Sequence, residues 1–241
     1  MTHFERELEI FRTEEETAQQ YFFSYLSIRS LAGSNGEVLT MMNKAPLFWV
    51  TAHHALLLSA FIALGRIFDQ NSKHNLNTLM SAASKELSAF SRPALAARKQ
   101  AAGLTPAEAA AYVKGKHELT DDDLRRIRKE ITCWRRVYDD RYKDVRHKIF
   151  AHKALSDLTE ANKLLARTKI DELKALFAFM SALYSDLWEA FHNGIQPSLN
   201  VRAFVLPPRP RVSGQQMLPG ETVYRECHGV LESMLVHARE G

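Results

Sequence analysis

The side chains best suited to chemistry cluster in one run, Asp144-Val145-Arg146-His147-Lys148-Ile149-Phe150-Ala151-His152-Lys153. A histidine of ordinary pKa, about 6.5, gives or takes a proton near neutrality. An arginine keeps its proton and offers paired N–H donors to a phosphate. The cations Arg146, Lys148 and Lys153 favour the neutral form of His152 and poise it as a base. His147 is a second acid or a phosphate ligand. Six helical steps turn about 600°, which leaves Arg146 and His152 roughly 120° apart around a straight axis. They meet only if the helix loosens near Phe150, the arginine reaches round, or a second subunit completes the site. No carboxylate cluster suited to a divalent metal lies nearby, so neither metal nor cofactor is expected.

The same residues admit plainer roles. His152 continues the apolar stripe of Val145 and Ile149 and could be a core histidine. Lys148, His152 and Lys153 would complement a helix dipole at its C-terminal end. Arg146 could pair with Asp140 or Asp144 on the surface, worth roughly 0–1 kcal/mol. Charge is nevertheless uneven: residues 124–153 hold eleven Lys and Arg against four Asp and Glu, while the whole chain carries only +4. That segment is either a solvated face or a surface for polyanions.

Four long helices are expected to position this run. The first spans Phe4 to Leu31 and stops at Gly33-Ser34-Asn35-Gly36. The second starts at Pro46 and ends at Asp69-Gln70-Asn71-Ser72; apolar nearly all round, it should be the most buried element. The third begins after Thr120, with Asp121, Asp122 and Asp123 at the positive end of its dipole. The fourth opens at Thr168-Lys169-Ile170-Asp171 and closes at Gly194 and Pro197. Residues 72–118 read as shorter helices, with a capping box at Thr105-Pro106-Ala107-Glu108, forming a mobile excursion from the core. Leu206 to Arg211 is an extended Pro-rich linker, and Glu221 to Ala238 a short C-terminal helix that packs back on the core or on a partner. The fold class is all-α, with a domain over 1–192 and a linker plus helix over 193–241.

With these elements in place, the run resembles the motif of the HEPN superfamily, helical-bundle proteins with an Arg, a polar residue, a short spacer and a His. Arg146, His147 and His152 match those positions. The Phe150-Ala151-His152 ending, the helix opening at Thr168 to Leu173, and the ending Gly65-Arg66-Ile67-Phe68-Asp69 are similar to the abortive-infection branch. The resemblance implies an HEPN-like four-helix bundle. It also implies a metal-independent endoribonuclease of toxin-like or phage-defence type, working as a homodimer with a composite cleft. Arg146 would hold the phosphate, His152 move the proton and His147 assist, while Arg141, Lys143, Lys148 and Lys153 contact RNA. An antitoxin or other regulatory protein is a further expected partner. The alternatives are a non-catalytic helical RNA-binding or protein-interaction module and a purely structural dimerisation domain.

Composition narrows the setting. Two widely spaced cysteines, Cys133 and Cys227, argue against a disulfide framework or a zinc knuckle and suit a reducing, cytoplasmic location. The acidic N-terminal stretch lacks the pattern of a signal peptide. The run Ala55 to Leu64 is shorter than the roughly 20 residues a bilayer requires, so no membrane partner is expected.

Overall fold

The computed structural model describes residues 1–146, 169–206 and 216–240, and among them the fold is helical with no strand. Helix α1 spans His3–Ser34 and starts with a capping box: the Glu5 N–H donates to Thr2 Oγ1 at 3.1 Å, and the Thr2 N–H donates to Glu5 Oε2 at 2.6 Å. It runs through Gly33 and stops at Asn35, whose extended backbone breaks the ladder while its side chain caps α2 (Gly36–Asn43). The stop is therefore an asparagine serving two helices rather than a left-handed glycine.

Helix α3 (Pro46–Phe68) has the expected bounds, with Pro46 in its first turn. Its burial corrects the sequence reading. Phe61, Leu64, Ile67 and Phe68 are buried, whereas Leu47, Phe48 and Val50 are 83%, 63% and 66% exposed. The helix is long and apolar enough to cross a membrane by length and composition, with mean hydropathy 1.8 over its most apolar window. Its C-terminal half is buried in the core, while its first half is only partly covered, by packing of Trp49 and Leu56 on the residues of α1 and α2 and by His53 edge-on to Tyr25. Apolar composition all round did not bring burial all round.

Residues 72–118 form α4 (Leu76–Lys85), a 3-10 turn (Leu87–Phe90), α5 (Arg92–Ala101) and α6 (Pro106–Val113). Instead of standing off, this segment enters the core. Leu76, Leu79, Met80 and Phe90 are buried, and Phe90 packs edge-on to Phe4 and Phe191 with centroids 4.8 and 5.2 Å apart. Ala82 and Ala83 are buried as well, and α4 packs on α1.

Helix α7 (Asp121–Tyr138) opens with the Thr120/Asp123 capping box and passes directly into a π-helical turn, Asp139–Lys143. Helix α8 (Ile170–Asn193) ends at Gly194, in the left-handed region at φ 60°, where an added Cβ would lie 2.9 Å from both Leu95 Cδ2 and Lys116 Cβ. Its first described residue outside the helix, Lys169, provides no side-chain cap. Thr168 and the Pro-rich stretch 207–211 lie outside the described residues. Helix α9 (Pro219–Glu240) is longer than expected and packs on α1: the Gly220 N–H donates to Gln19 Oε1 at 2.9 Å, and Ser27 Oγ donates to the Tyr224 carbonyl at 3.0 Å. Tyr224 and Leu231 bury its inner face. Helices α1, α3, α7 and α8 surround the common core, and each fully buried Phe adds about 1.5–3 kcal/mol of burial free energy.

Candidate active site

The site grows from the meeting of two helix ends. Phe68, the last residue of α3, stacks on Tyr138, the last residue of α7, with centroids 5.2 Å apart and planes 18° from parallel. The π turn then widens the helix for one turn, so that Tyr142 and Val145 stay fully buried. Tyr142 is fixed by its hydroxyl, which donates to Glu172 Oε1 at 2.7 Å on α8. Loosening near Phe150, one of the three ways to bring Arg146 and His152 together, falls outside the described residues; a wide turn is present before Arg146, at Asp139–Lys143. Wide turns of this kind recur at functional sites because they re-aim the side chains that follow.

Arg146 emerges from this turn and lies across Gly65. A Cβ at Gly65 would approach Arg146 Cζ to 2.6 Å and Cδ to 2.8 Å, so glycine is needed there for space. The guanidinium ends on Asp69, the C-cap of α3, in an ion pair with each side chain only 16% exposed. That cap residue has an extended backbone, and its N–H still donates to the Gly65 carbonyl at 2.9 Å. Partial burial makes the pair stronger than a surface pairing with Asp140 or Asp144 would be.

Beside the pair opens a polar cleft of about 300 Å³, lined by Phe68, Asp69, Gln70, Asn71, Asp139 and Lys143. Lys143 Nζ stands 3.3 Å from Asp139 Oδ1, and Arg141 Nε stands 4.0 Å from Glu172 Oε1. The Tyr138 hydroxyl and Asp69 Oδ1 are buried without a hydrogen-bond partner among the described residues. Burial pushes the Tyr138 phenol well above its ordinary pKa, with Asp69 and Asp139 adding to the rise against Arg146, so it stays a neutral donor.

Of the residues singled out from sequence, Arg146 and Lys143 flank this cleft, and Arg141 faces α8. His147, Lys148, His152 and Lys153 lie outside the described residues. Sequence reasoning did not assign roles to Gly65, Asp69 or Tyr138. The first two belong to the Gly65-to-Asp69 ending that carried part of the resemblance, but nothing local reveals that their partner is Arg146, 77 positions beyond Asp69. Among the described residues no group of three or more His, Cys, Asp or Glu is placed to hold a metal ion.

The described residues thus form an all-α bundle in which the helix-capping Asp69 holds Arg146 beside a polar cleft. The HEPN family model described as AbiU2 matches residues 1–205, and the chain belongs to that family of abortive-infection HEPN proteins. No curated protein and no solved structure matches the chain.

Proposed function

We propose that this chain is a metal-independent endoribonuclease of the HEPN type, toxin-like or acting in phage defence. The observation that carries the reading is the placement of Arg146: it is wedged on Gly65 and oriented by Asp69 at the rim of a polar cleft. A guanidinium so held meets a phosphate at little further entropic cost.

In the reaction, the 2′-oxygen loses its proton and attacks the adjacent phosphorus. Arg146 stabilises the charge gained by the phosphorane, and the departing 5′-oxygen takes up a proton. His152 serves as base, and the symmetry-related His152 of a second copy, or His147, serves as acid. The composite dimer site rests on the family resemblance and on the roughly 120° separation of Arg146 and His152 along a straight helix.

The test is incubation of the purified chain with labelled RNA in chelator, beside a 2′-deoxy copy. RNA should be cut and the deoxy strand should resist, because it lacks the nucleophile. Removing Arg146 or His152 should slow cleavage about 10²–10⁴-fold. Cleavage that persists in the Arg146→Ala, His152→Ala double variant refutes the assignment.

A second reading, a non-catalytic RNA-binding or protein-interaction module, is favoured by the pairing of Arg146 and Lys143 with carboxylates, which reduces their pull on a phosphate. Such a chain would bind RNA with strong salt dependence and leave it intact.

A further inference from the structure

Between α4 and α7 runs a groove of about 510 Å³ that the catalytic reading does not use. Its cations are Lys85, Arg128 and Arg135, joined by the short polar donors Asn77, Ser84 and Thr132. Among the described residues no carboxylate lines it. In the neighbouring cleft Arg146 faces Asp69 and Lys143 faces Asp139, whereas no carboxylate pairs with Lys85, Arg128 or Arg135 among the described residues.

The two arginines are fixed before any ligand arrives. Arg135 Nη2 donates to Asn77 Oδ1 at 2.8 Å, and Arg128 Nη2 donates to the Met80 carbonyl at 3.0 Å. Each such bond uses one of the five N–H donors of a guanidinium. Arg135 Nε is buried and has no hydrogen-bond partner among the described residues. Holding these side chains in place lowers the entropic cost of a later contact.

Spacing gives the groove a direction. Arg128 and Arg135 are seven residues apart, two turns and about 10.5 Å on one face of α7. One further turn, about 6 Å, reaches Asp139 at the cleft beside Arg146. Among the described residues no aromatic side chain lines the groove, so they offer no platform for stacking bases. A repeating anion fits these features better than a heterocycle does.

We infer that the α4–α7 groove is a binding track for the sugar–phosphate backbone of single-stranded RNA, with Lys85, Arg128 and Arg135 each taking a phosphate and feeding the strand toward Arg146. The inference rests on RNA being the substrate, and it adds a subsite outside the reacting centre. Contacts to phosphates carry no sequence information, so the groove contributes affinity and register but not base choice. It holds a deoxy strand as well as a ribo strand.

The experiment uses the full chain carrying His152→Ala, so that the strand survives. Fluorescence anisotropy measures affinity for a labelled single-stranded RNA and its deoxy copy as salt rises from about 50 to about 200 mM. Replacing Lys85, Arg128 and Arg135 by Gln should reduce the log–log salt slope by about 2, at roughly 0.7 per lost phosphate contact. That equals a roughly 20-fold smaller loss of affinity across the salt range. The reduction should be the same for both strands. Since Arg128 and Arg135 also bind protein groups, Ser84→Glu serves as the second variant. It leaves those bonds in place, sets a carboxylate among the cations and should weaken binding at low salt.

Folded variants with an unchanged slope and affinity overturn the inference, as does tighter binding of polyglutamate than of RNA, which would assign the groove to an acidic protein. The two readings separate cleanly. If the wild-type chain does not cut RNA but the slope falls, the groove stands and the nuclease assignment fails. If RNA is cut but the slope does not move, the groove fails alone.

Discussion

Replacing Gly65 by Ala sets helix propensity against the geometry of the site. In the interior of a helix this change normally stabilises by about 0.8–1 kcal/mol. Here the new methyl would occupy the place of the Arg146 guanidinium, with Cζ only 2.6 Å away, so the side chain must swing off Asp69. Losing a charge-assisted contact of this kind costs about 1.5–3 kcal/mol. The expected net loss is about 1–2 kcal/mol, or roughly 2–8 °C in melting temperature for a chain of this size. Turnover should suffer more, about 10²-fold or greater, because a phosphate-binding group would be displaced by more than an ångström. Thermal denaturation followed by circular dichroism, with RNA cleavage kinetics on the same preparation, measures both. A Gly65→Ala protein more stable than wild type and equally active would refute the idea that Arg146 works from this position.

Three further outcomes follow from the same contacts. Asp69→Ala should leave the helical spectrum intact while lowering kcat about 10–100-fold with little change in KM, since Asp69 positions Arg146 without binding the strand; an equal rise in KM alone would contradict that role. Phe61→Ala should cost about 3–5 kcal/mol and Phe48→Ala under about 0.5 kcal/mol, so melting temperatures test the uneven burial of α3 directly. Glu15, buried beside Ser181 and Gln19, is pushed up to about 7 by desolvation. The folded state therefore holds a proton that the unfolded chain releases near pH 4.5, and this group's contribution falls as pH rises from about 4.5 to about 7. Glu15→Gln should remove a pH-dependent loss of about 3 kcal/mol, seen as a smaller difference between denaturation midpoints at pH 5 and pH 8.

Helix boundaries were legible wherever the signal lay within one turn of chain. Thr120 with Asp123, Thr105 with Glu108, Pro46 and Gly194 all mark ends that the structure places at those residues. Capping chemistry is local, so spacing alone reveals it. The all-α class followed from helical periodicity, and the motif residues with their flanking helices sufficed to suggest the family. The first helix stops within Gly33 to Gly36 as its composition indicates, but the residue that ends it is Asn35, whose side chain caps the next helix, rather than either glycine.

Everything that required knowing a distant neighbour was decided by tertiary structure. Composition established that α3 was apolar, but only packing determined that Leu47, Phe48 and Val50 in its first turns would stay exposed. The short helices after residue 72 looked too poor in large side chains to join the core, yet the few they have, Leu76, Leu79, Met80 and Phe90, are all buried in it. Likewise, the sequence supplied Arg146 and its chemistry, while its seat on Gly65, its aspartate and the adjoining basic groove came from the meeting of α3, α4 and α7. The physical reason is range: hydrogen bonds at helix ends reach a few residues along the chain, whereas burial and ion pairing depend on which surfaces touch.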